Sequence, residues 1–166
     1  MKVYVLDSNF FIQAHRAYYP LDIAVGFWLK VKQLAHEGKI ISIDKVKNEL
    51  YDKNDELELW CKENLPENFF QETDDIMPAY SRLILWTNTQ RSHFLPKAID
   101  EFLDADEADA FLVAYALTDN QNRVIVTQEV SEPTRKNKIK IPQPANVFHI
   151  RYVNAMTMFR ELGESF

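Results

Sequence analysis

The sequence predicts an α/β fold of three layers, α/β/α, with a central, mainly parallel sheet of four to five strands. Two observations carry this expectation. Runs rich in β-branched and aromatic residues at 3–6, 39–43 and 123–127 alternate with longer stretches of helical spacing. The first run, Val3-Tyr4-Val5-Leu6, is apolar on both faces, as a central strand covered by helices on either side must be. At 166 residues the chain is sized for a single domain, residues 1–166, with one core.

The first strand ends abruptly at Asp7-Ser8-Asn9, and Asn9 to Ala14 reads as a short helix that Ser8 or Asn9 can cap. Pro20 breaks the pattern. A longer helix follows, capped by Asp22, with Ile23, Phe27, Val31 and Leu34 at helical spacing and a stop at Gly38. Lys39 to Ile43 reads as the second strand, and Asp44 caps a helix that turns Val46 and Leu50 inward. Residues 55–103 read as helical throughout, a helical elaboration divided by Pro66, Pro78 and Pro96.

From Ala110 to Leu117 no charged residue occurs, so this helix should be buried nearly all round. Its entry is acidic: Asp104, Asp106, Glu107 and Asp109. Arg123 to Thr127 is a β-branched strand that runs into Gln128 and Glu129. A basic segment, Pro142 and Pro144 come next; Val147 to Ile150 reads as a last short strand, and Asn154 to Leu162 as a closing helix stopped by Gly163.

Composition excludes several classes. No apolar run reaches the ~20 residues of a membrane span, and the chain enters a strand at once instead of a signal sequence. Cys61 is the single cysteine, which removes intrachain disulfides and cysteine zinc sites and suits a reducing cytoplasm. Three glycines form no phosphate-binding loop. A net charge of −6 argues against nucleic-acid binding through broad basic surface. Phosphates held through metal ions remain compatible with it, because site carboxylates themselves add negative charge.

Strand carboxyl ends and the helix starts after them share one rim of such a sheet. Asp7, Glu49, Asp109 and Glu129 all fall there. Carboxylates crowded together repel, and a divalent cation is the natural compensation, Mg²⁺ or Mn²⁺ for hard oxygen ligands. Each acid also has a plain reading. Asp7 can cap the following helix, and Glu49 can belong to a solvated face beside Lys45, Lys47, Asp52 and Lys53. Asp104, Asp106 and Glu107 can complement a helix dipole.

Taken in order, the motifs Val5-Leu6-Asp7-Ser8-Asn9, Asn48-Glu49-Leu50, Asp109 followed by Ala110-Phe111-Leu112-Val113-Ala114-Tyr115-Ala116, and Val126-Thr127-Gln128-Glu129 resemble those of the PIN domain. PIN domains are the nuclease domains of many toxin–antitoxin ribonucleases, and the chain looks most like an uncharacterised branch. The resemblance implies a Mg²⁺- or Mn²⁺-dependent endoribonuclease, the toxin of a toxin–antitoxin pair. Asp7, Glu49 and Asp109 would be its catalytic metal ligands, and an RNA substrate, a cognate antitoxin and a homodimer its partners. Ser8, Asn9 and Thr127 would orient ligands or a phosphate oxygen.

Glu129 stands where the family pattern has Asp, one methylene longer. Asp106, three residues before Asp109 and on the same face of a continued helix, is the alternative fourth ligand. Arg135, Lys136, Lys138 and Lys140 either follow an RNA backbone or form a solvated loop. A non-catalytic PIN-like scaffold that binds RNA or protein is the second reading. A haloacid-type phosphotransferase needs another Asp where Asn9 stands, and a receiver domain needs paired acids where Lys2 and Val3 stand.

Overall fold

A computed structural model describes residues 1–166. Five parallel strands form one sheet: β1 (Val3–Leu6), β2 (Ile40–Ile43), β3 (Phe70–Gln71), β4 (Arg123–Val126) and β5 (Tyr152–Val153). Their order is β3-β2-β1-β4-β5, which puts β1 at the centre as its two apolar faces require. Val3 to Leu6 pair residue by residue with Arg123 to Val126, so β1 and β4 end level with one another.

Nine α-helices surround the sheet: α1 (Ser8–Gln13), α2 (Val25–His36), α3 (Asp44–Tyr51), α4 (Glu56–Asn64), α5 (Met77–Thr89), α6 (Pro96–Phe102), α7 (Ala108–Thr118), α8 (Pro142–Val147) and α9 (Ala155–Leu162). One layer is tied by aromatic contacts from α2 to α4, Trp28 to Trp60 at 4.8 Å, and from α2 to α9, Phe27 to Phe159 at 6.1 Å. The other joins α5 to α7 through Tyr80 and Phe111 at 4.8 Å, and α5 to the end of α8 through Trp86 and Phe148 at 6.4 Å. The expected three-layer α/β/α architecture is present. Every residue of α7 from Ala110 to Leu117 is buried, as its lack of charge dictates. No helix is long and apolar enough to cross a membrane.

Several boundaries differ from expectation. Neither Ser8 nor Asn9 caps α1, because both already lie within it; Asp7 occupies the cap position. The helix then runs past Ala14 as a π-helical turn, Ala14–Tyr18. Asp22 does not cap α2, which starts at Val25 after a turn and leaves Ile23 exposed. Gly38, at φ +72°, supplies the left-handed residue after α2, and the Lys39 N–H reaches back to the Leu34 carbonyl at 3.0 Å. Asp44 is the first residue of α3; its carboxylate instead accepts the Thr73 hydroxyl at 2.8 Å and the Thr73 N–H at 3.1 Å.

The stretch 55–103 is not wholly helical. It contains the edge strand β3, while the prolines do separate its helices as expected: Pro78 and Pro96 lie in the first turns of α5 and α6, where a missing N–H costs nothing. The last strand is Tyr152–Val153, not 147–150, because Pro142 and Pro144 open α8 and carry the helix to Val147. Asn154 caps α9 as its type predicts, accepting the Thr157 N–H at 2.8 Å.

Candidate functional site

The chain moves from β1 outward to β3, then returns to β4 on the other side of β1. The gap beyond the carboxyl ends of β1 and β4 is therefore the point where winding direction reverses, the usual ligand crevice of open parallel sheets. Asp7 and Thr127 leave these two strands side by side. The Thr127 hydroxyl donates to Asp7 Oδ2 at 3.0 Å and accepts the Glu129 N–H at 3.2 Å. Asp7 is only 2% exposed. Although it sits at the cap position of α1 in extended backbone, its carboxylate makes no capping bond, so capping does not account for its burial.

Three further acids lie near enough to act on its charge or on one another's. Glu49, beside buried Leu50 on α3, crosses to α7, where its Oε1 accepts the Ala108 N–H at 3.2 Å. It thereby satisfies a free amide at that helix start. Asp109 is in the first turn of α7, at the positive end of the helix dipole. Glu129 accepts the Ile141 N–H at 2.8 Å through Oε2, and Lys138 Nζ lies 3.6 Å from its Oε1.

Burial first, then the charges of Glu129 and Glu49, raise the Asp7 carboxyl from an ordinary 3.8 to about 6, against the Thr127 hydroxyl and Ser8 N–H. Burial, then Asp7 and Glu129, push Asp109 well above the usual carboxylate range, partly offset by Lys138. Such mutual repulsion places Asp7, Glu49, Asp109 and Glu129 in one neighbourhood. Glu107 joins its edge: burial and Glu49 raise it, and it lines a cleft of about 230 Å³ with Asp109, Lys138 and Glu101. Its residue type and position before a helix gave only a dipole explanation.

The other predicted residues divide. Ser8 is buried, with its hydroxyl 3.4 Å from Asp7 Oδ1, while Asn9 makes no side-chain hydrogen bond. Asp106 is exposed in the turn before α7, its N–H bound to the Asp104 carboxylate at 2.8 Å. The helix starts only at Ala108, so the helical spacing that would align Asp106 with Asp109 does not exist there. In the basic segment, Arg135 and Lys140 pair with Glu132, both at 3.2 Å, and Lys138 pairs with Glu129, which leaves Lys136 without an acidic partner.

The donors are all carboxylates, the set that suits Mg²⁺ or Mn²⁺, and the repulsion between them is the kind a divalent ion offsets. No three of the chain's His, Cys, Asp and Glu side chains are already arranged around a common ion position. Glu49 and Glu129 each hold a backbone N–H, and would have to share or release it to act as ligands.

The raised acids set a pH dependence. Asp7 binds its proton more tightly folded than unfolded, so the metal-free chain loses stability as pH climbs from about 4 through about 6. Glu161 has the opposite sign: its bonds to Arg151 and Tyr4 hold it down at about 2, and its contribution is lost as pH falls below about 4.5. Denaturant unfolding in EDTA should therefore show greatest stability between about pH 4 and 4.5, with a decline toward pH 7. A flat or rising profile over pH 5–7 would contradict the crowded site.

Searches of curated proteins and of solved structures return no match. One family model, described as a domain of unknown function (DUF4411), matches residues 4–166. From just inside its first strand to its last residue, the chain belongs to the DUF4411 family.

Proposed function

We propose that the chain is a metal-dependent endoribonuclease of PIN-like type that hydrolyses RNA phosphodiester bonds. The observation that carries the reading is the convergence of Asp7, Glu49, Asp109 and Glu129 at the switch point, with Asp7 raised by burial, Glu129 and Glu49, and Asp109 by burial, Asp7 and Glu129. A structural role alone would not favour burying unpaired acids together, since each raises the cost of ionising the next. A bound Mg²⁺ or Mn²⁺ would supply a water of lowered pKa and positive charge against the phosphate oxygens.

The chain's own residues have separable parts. Asp7 and Asp109 offer carboxylates from two different elements, while Thr127 fixes the orientation of Asp7 and, through the Glu129 N–H, the start of the following loop. Glu49 and Glu129 act as outer acids. Ser8 lends a weak bond to Asp7. The role as the toxin of a pair, with a cognate antitoxin and a homodimer in the cytoplasm, belongs to the same proposal and rests on the PIN-like motifs.

A non-catalytic scaffold is the second reading, favoured by Glu129. Its two oxygens are already engaged by Ile141 and Lys138, as a structural acid's would be. Calorimetric titration with Mn²⁺ separates the two. Binding should be lost in Asp109→Asn and retained in Asp106→Asn, together with EDTA-sensitive cleavage of single-stranded RNA in the parent chain. Equal Mn²⁺ heats in the parent and Asp109→Asn would sink the enzyme reading.

A further inference from the structure

A second cavity, of about 340 Å³, opens on the carboxyl rim of the sheet. Its walls come from segments that follow three strands: Phe10 and Tyr18 after β1, Gln128 after β4 and Asn154 after β5. Gln128 stands between Thr127, which holds Asp7, and Glu129. The cavity is thus continuous in sequence with the acidic site, and its size is at the low end of the ~300–1,000 Å³ typical of small-ligand pockets.

We infer that this cavity is a base-binding subsite, which takes one unstacked nucleobase of a single-stranded RNA whose backbone runs past Asp7. The ribonuclease reading supplies the choice of RNA; the chemistry of the walls supplies the base. Tyr19 is held flat against Phe27, with ring centroids 4.3 Å apart at 12°, and its carbonyl accepts the Trp28 indole N–H at 2.7 Å. This makes a rigid aromatic wall. Tyr18, by contrast, lines the cavity while 63% exposed, so it is open to a ligand from solvent.

The π-helical turn brings this pair into place. The Tyr19 N–H reaches the Ala14 carbonyl at 2.7 Å, five residues back, so the turn is one residue wider than an α-helical one. Such turns recur at functional sites because they re-aim side chains that a regular helix would send elsewhere. Gln128 is exposed and forms no side-chain hydrogen bond within the chain, while the Asn154 oxygen is committed to capping α9 and its amide N–H₂ is free. Aromatic faces with a few amide donors and acceptors at the edge are what single-stranded RNA recognition uses: stacking holds a base and amides read its edge.

The test titrates the full chain with Mn²⁺ present into a short single-stranded RNA that carries one 2-aminopurine and a phosphorothioate backbone resistant to cleavage. Stacking should quench its fluorescence. Tyr18→Ala should abolish the quenching and weaken binding about tenfold, and Tyr18→Phe, which keeps the ring, should restore both. Tyr18 is exposed, so these variants keep the fold. Gln128→Leu should retain quenching yet level the preference among oligonucleotides that differ in that one base.

Quenching unchanged by Tyr18→Ala, or RNA bound with no quenching, overturns the inference. A cavity that instead receives an apolar side chain of a protein partner gives that second result. Quenching without any Mn²⁺-dependent cleavage of the unmodified RNA counts against the ribonuclease alone, and cleavage without quenching counts against the base subsite alone.

Discussion

Asp7→Asn should abolish Mn²⁺-dependent RNA cleavage, a loss on the order of a thousandfold or more, while it makes the metal-free chain more stable. The two effects have one cause. Above pH 6 the Asp7 carboxylate is ionised at a site where burial, Glu129 and Glu49 all oppose its charge. The rise from 3.8 to about 6 corresponds to about 3 kcal/mol. An amide of nearly the same shape removes that charge and can still accept the Thr127 hydroxyl. The recovered stability, up to about 3 kcal/mol less whatever the weaker hydrogen bond forfeits, should appear as a Tm several degrees higher in EDTA at pH 7.5. Cleavage at the parent rate, or a Tm below the parent's, would count against Asp7 as the centre of a charged site.

Phe11→Ala should cost about 3–5 kcal/mol, the range for a fully buried aromatic ring whose neighbours cannot collapse into the space. Phe11 is wholly buried on α1 and meets Phe10 edge-on at 5.2 Å and Phe69 edge-on at 6.0 Å. It thus links the helix that follows Asp7 to the segment leading into β3. Urea unfolding should show a lower midpoint with an unchanged slope. A change under 1 kcal/mol would mean that this corner of the core repacks freely.

Much of this site was legible in the sequence, and the reason is physical. Asp7 interrupts a run apolar on both faces, and α7 carries no charge from Ala110 to Leu117, so burial itself marked both elements. The strand β3 was hidden because two residues cannot display a period; only pairing with Ser42 and Ile43 defines it. The strand β5 was misplaced for the same reason, with its register fixed by Ile125 and Val126. Asp106 competed with Glu129 because helical spacing was extended one turn too far, into residues that form a turn before α7. The partnership of Glu49 with the Ala108 N–H joins two elements 59 residues apart, which no local pattern encodes. The π-helical turn was equally invisible, since residues 14–18 have no composition that sets them apart from an ordinary helix end.

The two outer strands contribute only two residues each. A sheet grows across a molecular boundary by pairing the unused N–H and C=O groups of its margins, and here each margin offers one or two such groups. Two copies of this chain therefore gain little by joining sheets, and the chain presents a poor template for fibrous stacking. The exposed apolar residues Val25 and Leu29 of α2 and Leu59 of α4 line a groove on the helices instead. The strands that lead into Asp7 and Thr127 lie inside the sheet and not at its margins, so the weakness of those margins leaves the acidic rim's framework fully paired.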